Sequence, residues 1–517
     1  MPLNGCRVED IGGFQNRVWA GDPARLACLD VITGERLTCG EVAEWVPRIA
    51  SGLESLGVGP GDQVLLTAPT SIPALLSCWA LWRLGAVPMP LDPTWPNYLL
   101  DAVLSRVTPR LVLASAGQAL GAHLPTFVIA DSAGAASAAV RQWRQTRPAH
   151  PFRAGFADPD QRPGVVLFTS GSTGLPKGVM LSQGALLRSA QLVAQTFQWR
   201  PGDRFLNLAE LHSMSGLRNT CLAAAACGAA VLLAPAAELP DPFRLARVMA
   251  ETRPTVLGSG PLAIGTALRF RDRLEPDGWT GLRQAICTGG PLPTEDARAF
   301  QEWTGAPVIN YYGLTETTGI CIAHTPESAR ACDGTLGWPV GATCRVLADP
   351  ECPEAPGGAG ELVVAGPNLM LGYLGQPELT AEVLRGGWFH TGDWARIHAD
   401  GRIELVGRIR NCIKTGHTDL LFPEEIETAL AGHPDLQDAA AVRVASGPGA
   451  EHFLVLLVPR AGWTDGRDLV LELHGFLKER LGPKRLPGGY RVVQGVPRLE
   501  NGKIDRTALL EYATHGE

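Results

Sequence analysis

One short segment, residues 165–178 with the sequence VVLFTSGSTGLPKG, constrains this chain more than any other. Its first four residues are apolar and predict a buried strand that runs directly into a loop rich in glycine and hydroxyl groups. Glycine lets backbone N–H groups turn towards an anion, hydroxyls add donors, and Lys177 adds positive charge. A loop of this chemistry predicts a phosphate-binding site.

The loop differs from the Walker loop, the common phosphate-binding loop. A Walker loop requires glycine directly before its lysine and a metal-binding hydroxyl directly after it. Here Pro176 precedes Lys177 and Gly178 follows it, so neither requirement is met. After the next strand, Ser182 is expected to cap a helix.

The segment resembles the signature loop of the adenylate-forming superfamily, which contains acyl-CoA synthetases, stand-alone and peptide-synthetase adenylation domains, and luciferases. The resemblance implies that this loop binds the phosphates of ATP. The candidate residues in the loop are Thr169, Ser170, Gly171, Ser172, Thr173, Gly174 and Lys177.

Size and composition limit the classes of protein. At 517 residues the chain is expected to form two or more domains. A net charge of −7 without a basic run argues against a nucleic-acid partner. We expect a cytoplasmic protein with reduced cysteines, because no secretory signal, membrane-spanning run or metal-ligand cysteine spacing is visible.

The first part of the chain alternates helix and strand patterns. Helices are predicted at residues 41–56 and 72–84, with a strand at residues 63–68 between them. This alternation predicts an α/β fold in which helices cover a parallel sheet. Residues 131–163, rich in Ala, Arg and Pro, are expected to form an irregular connection.

Four further strands are predicted at residues 204–208, 255–257, 284–288 and 308–310. Loops at the carboxyl ends of parallel strands are where open α/β sheets bind ligands. In the last of these loops, Tyr312 offers an aromatic face on which a base can stack. The candidate nucleotide-binding residues in the last two loops are Gly290, Pro291, Tyr311, Tyr312 and Gly313.

Thr315 and Glu316 follow in the same loop and are candidate catalytic residues. A hydroxyl next to a carboxylate suits a hard cation such as Mg²⁺, which takes few protein oxygens. The sequence therefore predicts a magnesium site at Glu316.

The segment after the strand at residues 204–208 bears on the acid substrate. In the acyl-CoA synthetase branch, a histidine or aromatic residue here separates the acyl pocket from the nucleotide, and His212 matches it. Peptide-synthetase domains for α-amino acids instead place an aspartate near this position, whereas here Glu210 lies two positions before His212. The resemblance favours a carboxylic acid without a free α-amine. Arg218 could pair with a second substrate carboxylate, but is expected to be solvated or at a helix end.

Three residues in the last quarter of the chain match further family positions. The resemblance implies that Asp393 accepts hydrogen bonds from both ribose hydroxyls of ATP, and that Arg408 reaches the ribose or phosphates. Lys503 matches the catalytic lysine that bridges the substrate carboxylate and the α-phosphate.

The resemblance also implies the domain organisation. Residues 1–407 are expected to form a large N-terminal domain of parallel and mixed sheets covered by helices, with a small β subdomain formed by residues 334–407. Residues 408–517 are expected to form a small, mobile α+β domain. Two features depart from the family pattern: Arg410 at the hinge, and an extra residue in residues 414–423 beside the thiol tunnel.

The activity implied is the conversion of a small carboxylic acid and ATP into acyl-AMP and pyrophosphate, followed by transfer to a thiol. Coenzyme A is the leading acceptor. The phosphopantetheine thiol of a separate carrier protein is the first alternative. A nucleotide-binding homologue without catalytic activity is the second.

Overall fold

The computed structural model describes residues 10–117, 124–131, 135–150, 158–170, 175–234, 241–347, 358–415, 419–431, 433–447, 450–460, 466–483, 485–498 and 503–515.

The helices of these residues occur along the whole chain. They are α1 (Ile11–Ala20), α2 (Cys39–Ser55), α3 (Ile72–Leu84), α4 (Asn97–Leu104), α5 (Ala138–Thr146), α6 (Gln183–Thr196), α7 (Met214–Leu217), α8 (Ala224–Cys227), α9 (Pro242–Thr252), α10 (Pro261–Phe270), α11 (Thr294–Thr304), α12 (Pro377–Val383), α13 (Pro423–Leu430), α14 (Gly466–Leu481) and α15 (Arg506–His515). Among them, none is both long enough and apolar enough to cross a lipid bilayer.

The strands alternate with these helices and cluster in the last third of the chain. They are β1 (Leu26–Asp30), β2 (Arg36–Thr38), β3 (Gln63–Thr67), β4 (Val87–Pro90), β5 (Leu111–Ser115), β6 (Thr126–Ala130), β7 (Pro163–Ser170), β8 (Pro176–Ser182), β9 (Arg204–Asn207), β10 (Ala230–Leu233), β11 (Val256–Ser259), β12 (Gln284–Cys287), β13 (Val308–Asn310), β14 (Ile322–Ala323), β15 (Trp338–Pro339), β16 (Thr343–Leu347), β17 (Ala359–Ala365), β18 (Gly372–Tyr373), β19 (Leu384–Arg385), β20 (Trp388–Ile397), β21 (Ile403–Arg408), β22 (Ile413–Thr415), β23 (Asp419–Leu421), β24 (Leu436–Gly447), β25 (Ala450–Pro459) and β26 (Gly489–Val492).

Two sheets with parallel strands form the first part of the molecule. One has the order β4-β3-β5-β6 and is parallel throughout. The other has the order β13-β12-β11-β9-β10-β1-β2 and is parallel except for β2 at its edge. Helices connect β3 to β4, β4 to β5, and β9 through β13 in turn, as expected for parallel pairing. The predicted α/β fold is confirmed.

Local sequence explains why the central helix forms where it does. α3 begins after Ser71 with Pro73 in its first turn and ends at Gly85, whose φ of 76° is left-handed. Every residue of α3 is buried, so it packs on all sides.

The start of α2 is also explained by local sequence. The helix begins with a capping box in which Thr38 and Glu41 exchange hydrogen bonds.

The expectation of an irregular connection over residues 131–163 was wrong in part, because α5 lies there. Ser137 caps α5, and its Trp143 stacks on Phe127 with ring centroids 4.5 Å apart. Gly52 of α2 makes this packing possible, since a Cβ at that position would lie 2.3 Å from the Trp143 ring. Arg144 also forms an ion pair with Glu35 over 2.7 Å.

The last third of the chain contains two smaller sheets besides the two-stranded sheet of β22 and β23. β16, β17, β19, β20 and β21 form an antiparallel sheet, in agreement with the small β unit expected there. β24, β25 and β26 form the other, which α13, α14 and α15 accompany. Two buried apolar clusters in this final part draw only on residues from Ile413 onwards. Phe422 connects this final part of the chain to the antiparallel sheet before it by packing against Trp394 of β20.

Candidate active site

The carboxyl ends of β12 and β13 bring two of the predicted loops together. The Tyr311 N–H donates to Cys287 O over 3.0 Å, and the Thr288 hydroxyl donates to Tyr311 O over 3.2 Å. Gly289 has a φ of 92°, which lets the chain turn immediately before Gly290. The glycine loop and the tyrosine loop therefore lie side by side, as parallel pairing requires.

Tyr312, Asp393 and Arg408 form one hydrogen-bonded cluster, although they come from different parts of the chain. The Tyr312 hydroxyl donates to Asp393 Oδ2 over 2.5 Å. Arg408 lies opposite Asp393 across β20 and β21, and its Nε is 2.8 Å from Asp393 Oδ1. Arg408 also donates to Thr391 O over 3.1 Å. The structure thus brings together three residues that the sequence placed separately at the nucleotide.

Burial controls the electrostatics of this cluster. Burial raises the pKa of Asp393, while Arg408 and the Tyr312 hydroxyl oppose the rise. The pKa of Tyr312 is well above its ordinary value because of burial and the neighbouring Asp393. Tyr312 therefore remains a hydrogen-bond donor to the carboxylate at neutral pH.

Lys503, in the final part of the chain, interacts electrostatically with Asp393 and Arg408 of this cluster. Burial by surrounding protein lowers its pKa although the side chain still contacts solvent; Arg408 lowers it further, and Asp393 opposes the change. Its segment is anchored by Arg506, the first residue of α15, whose two terminal nitrogens pair with the Glu427 carboxyl over 2.8 and 2.9 Å. Arg408 thus pairs directly with the buried Asp393 carboxyl, and Lys503 interacts electrostatically with both groups.

Glu316 lies in a 3₁₀ turn, Thr315–Thr317, that follows the tyrosine loop. Its Oε1 accepts a hydrogen bond from the Tyr373 hydroxyl over 2.8 Å. Lys177 Nζ lies 5.6 Å from the centre of the same tyrosine ring. Tyr373 therefore connects the predicted metal residue with the predicted phosphate loop. The sequence analysis missed it, and the short segment Gly372–Tyr373 was its only signal.

The phosphate loop is described only at its base. β7 and β8 pair antiparallel, with Thr169 opposite Lys177 and Ser170 opposite Pro176. Gly178 allows close packing here, since a Cβ would lie 3.1 Å from Phe168. Gly171, Ser172, Thr173, Gly174 and the Ser170 side chain lie outside the described residues.

His212 and Glu210 both lie in the loop after β9, but they contact different partners. His212 Nε2 is 3.8 Å from Asp92 Oδ2, in the loop after β4. The Glu210 carboxylate accepts hydrogen bonds from the Thr70 N–H, over 3.0 Å, and from the Thr70 hydroxyl. The sequence analysis singled out neither Asp92 nor Thr70, because both lie more than a hundred residues from their partners.

Arg218 was expected to be solvated or at a helix end; it does lie at a helix end, but it is not solvated. Its side chain is fully buried at the start of a π-helical segment, Arg218–Ala223. The guanidinium donates to the Tyr311 hydroxyl over 3.1 Å and to Thr318 O over 3.0 Å. It also donates to Ser189 Oγ and Asn219 Oδ1.

Comparison with known families decides what this site belongs to. A family model described as AMP-binding enzyme matches residues 15–374, and one described as AMP-binding enzyme C-terminal domain matches residues 425–503. The chain belongs to the AMP-binding enzyme family. The resemblance seen in the sequence is confirmed.

This AMP-binding enzyme matches several ligases over nearly their full length, whereas it spans 42% of a phosphinothricin tripeptide synthetase from Streptomyces viridochromogenes. Feruloyl-CoA synthase from an Amycolatopsis species is 32% identical over 484 residues, which cover 91% of this chain and 93% of the relative. An L-proline–[L-prolyl-carrier protein] ligase from Pseudomonas fluorescens is 31% identical, with coverage of 88% and 90%. An anthranilate CoA ligase in complex with anthranoyl-AMP has the same fold, with a TM-score of 0.88 at 22% identity over 99% of both chains.

Proposed function

We propose that this AMP-binding enzyme activates a carboxylic acid with ATP and then transfers the acyl group to coenzyme A. In the first step a carboxylate oxygen bonds to the α-phosphorus of ATP, the bond to the β-phosphate oxygen breaks, and pyrophosphate leaves. In the second step the thiol sulfur bonds to the acyl carbon, AMP leaves, and the thiol proton passes to solvent. The observation that carries the proposal is the hydrogen-bonded cluster of Asp393, Tyr312 and Arg408, with which Lys503 interacts electrostatically.

The charges of this cluster fit a nucleotide. Asp393 is an acceptor suited to ribose hydroxyls, and Arg408 and Lys503 supply positive charge for phosphates. Since an anionic carboxylate must approach an anionic α-phosphate, Lys503 acts by neutralising the charge that develops between them. Tyr312 holds the Asp393 carboxyl in place. Lys177 and the donors of residues 169–174 bind the remaining phosphate oxygens.

Glu316 is the residue that would hold Mg²⁺. A carboxylate oxygen is the ligand type that Mg²⁺ prefers, and the Tyr373 hydroxyl orients the Glu316 carboxylate by donating to its Oε1. When bound, the ion supplies charge neutralisation for the phosphates. Thr315 adds a hydroxyl to the same turn.

The substrate is an acid without a free α-amine. An α-ammonium group needs a carboxylate partner in the acyl pocket. Two carboxylates lie at this place, and both contact groups of this chain: Glu210 accepts a hydrogen bond from the Thr70 N–H, and Asp92 Oδ2 is 3.8 Å from His212 Nε2. His212, beside Asp92, forms the wall between the acyl pocket and the nucleotide.

The two steps require two arrangements of a small mobile domain, which we place at residues 408–517. Its two self-contained apolar clusters support this division. Arg410 at the hinge lies in the turn Ile409–Asn411, where burial and then Arg408 lower its pKa. Residues 416–418 of the altered segment lie outside the described residues.

A carrier protein is the second candidate acceptor, because a ligase for a carrier protein is nearly as similar to this chain as the feruloyl-CoA relative is. The test is AMP formation from ATP and acid, with coenzyme A or a phosphopantetheinylated carrier protein added separately. Acyl-CoA formation on mass spectrometry supports the proposal. If the acyl group is loaded onto the carrier protein and not onto coenzyme A, the carrier protein replaces coenzyme A as the acceptor. Absence of AMP with both acceptors and every acid contradicts acid activation itself.

A further inference from the structure

Arg218 is a buried cation with neutral partners. Its exposed fraction is 0%, and its acceptors are two hydroxyls, one amide oxygen and one backbone carbonyl. Within the described ranges, no carboxylate hydrogen-bonds or pairs with it. Burying a charge without a counter-charge is costly, and a guanidinium does not avoid that cost by losing its proton. The charge therefore calls for a partner that the described part of the chain does not provide.

Two adjacent donors remain available at this place. A guanidinium has five N–H groups, and four of them meet the acceptors named above, which leaves one on Nη2. The Tyr311 hydroxyl accepts from Nη2, and the described residues offer no acceptor for its own proton. By contrast, Ser189 already donates its proton to Thr318 O. An N–H and an O–H about one hydrogen bond apart match the two oxygens of a carboxylate.

The position of Arg218 links it to the proposed acyl pocket. Tyr311 directly precedes the nucleotide residue Tyr312, and Arg218 lies six residues after His212. Gly319, with a φ of 82°, brings the backbone against both Met214 and Arg218: a Cβ there would lie 2.6 Å from Met214 Cγ and 2.8 Å from Arg218 Nη1. The guanidinium thus contacts the residue that directly precedes Tyr312 and belongs to the segment that follows His212.

We propose that Arg218 and Tyr311 bind a second carboxylate of the substrate, so that this enzyme activates dicarboxylic acids. The proposal rests on acid activation as the proposed function. In this proposal the buried Met214, which lies beside Gly319 as Arg218 does, changes rotamer to admit the carboxylate, since its side chain is unbranched. Positive charge without an acidic partner then selects against uncharged chain ends and supplies substrate specificity.

The test compares pyrophosphate release with linear dicarboxylates and with monocarboxylates of the same chain length. For the wild type we expect kcat/KM for the best dicarboxylate to exceed that of its counterpart by on the order of 10²-fold. Arg218→Met removes the preference, mainly through KM for the dicarboxylate. Arg218→Lys keeps part of the preference for dicarboxylates, because lysine retains the positive charge but lacks the paired N–H donors of the guanidinium. Tyr311→Phe reduces the ratio of kcat/KM between dicarboxylate and monocarboxylate by about 10-fold.

Arg188→Met is the matched control, because it removes an arginine of α6 that pairs with Asp160 and leaves the preference unchanged. A wild-type enzyme that releases pyrophosphate equally well with both acid types overturns the dicarboxylate assignment and leaves acid activation standing. A preference that survives in Arg218→Met also overturns it. Should that variant fail to fold, the wild-type comparison and Arg218→Lys still decide. Absence of pyrophosphate with every acid contradicts the proposed function and, with it, this inference.

Discussion

Arg408 and Asp393 face each other across β20 and β21, with Arg408 Nε 2.8 Å from Asp393 Oδ1. The aspartate is buried whereas the arginine side chain keeps 39% of its surface exposed. One partner is therefore held in the protein interior while the other can extend towards a ligand. Together with Tyr312 on the far side of the carboxyl, this pair fixes the proposed ribose acceptor in one orientation.

Asp393→Asn tests this assignment at constant side-chain size. Replacing the carboxylate weakens ATP binding by on the order of 10- to 100-fold, since a hydrogen bond to a charged group contributes about 1.5–3 kcal/mol. ATP affinity is measured by calorimetry or by competition with a fluorescent nucleotide. Asp400→Asn is the control, because it removes an aspartate from an exposed turn paired with Arg402. Equal affinity of the Asp393 variant and the control contradicts the role of Asp393.

Glu316→Gln separates charge from hydrogen bonding at the proposed metal residue. The amide keeps an acceptor for the Tyr373 hydroxyl but loses the negative charge, so the Mg²⁺ concentration for half-maximal activity rises by about 10-fold or more. Tyr373→Phe is the matched variant, because it frees the same oxygen and leaves the charge. A magnesium dependence that is unchanged in Glu316→Gln argues against this residue as the ligand.

Asp203→Asn tests the ion pair between Asp203, directly before β9, and Arg283. Burial alone would raise the pKa of Asp203, but hydrogen bonds from Arg283, the Arg200 N–H and Thr255 outweigh it and lower the pKa. Its carboxylate therefore stabilises the fold fully above the ordinary value of 3.8, and this contribution is lost as the pH falls through the lower folded pKa. We expect the variant to lose about 1.5–3 kcal/mol in urea unfolding at pH 7. The difference in the free energy of unfolding between the wild type and the variant becomes smaller at acidic pH. A difference that does not change with pH contradicts an ionic origin of the stabilisation.

The alkaline limit of activity reports on Lys503. Because its pKa is lowered from the ordinary 10.5, the lysine loses its charge, and pyrophosphate release falls, at a lower pH than an ordinary lysine would give. Lys503→Arg keeps its charge throughout this range, so the residual activity of that variant extends to higher pH. The pH profiles of kcat/KM for ATP check this. Identical alkaline limbs in both proteins show that another group sets the limit.

Elements whose residues are buried on all sides were predicted well. The α3 bounds, Ile72–Leu84, agree with the sequence prediction, because a long apolar run lies between a serine–isoleucine–proline start and a glycine end. The same holds for β13, Val308–Asn310, which precedes the tyrosine loop. In these segments local pattern and tertiary burial favour the same structure.

Contacts between distant segments could not be predicted. α5 was missed because its apolar face depends on Phe127 and Gly52, which lie outside the segment. Arg218 was misjudged for a related reason, since its burial depends on Ser189, Thr318 and Tyr311 from three other parts of the chain. The hydrogen bond between Tyr312 and Asp393 spans 81 residues, and the sequence indicated only that each was near the nucleotide.

The most direct test of the account is pyrophosphate release from ATP across aryl, short-chain, long-chain, dicarboxylic and α-amino acids, with Lys503→Ala as the control variant. The account predicts release that depends on an acid without an α-amine and falls by on the order of 10²–10³-fold in the variant, because a preorganised cation at the reacting oxygens is lost. Release that is unaffected in Lys503→Ala would contradict the proposed catalytic site. Release with α-amino acids alone would contradict the assignment of His212 and identify an amino-acid-activating enzyme.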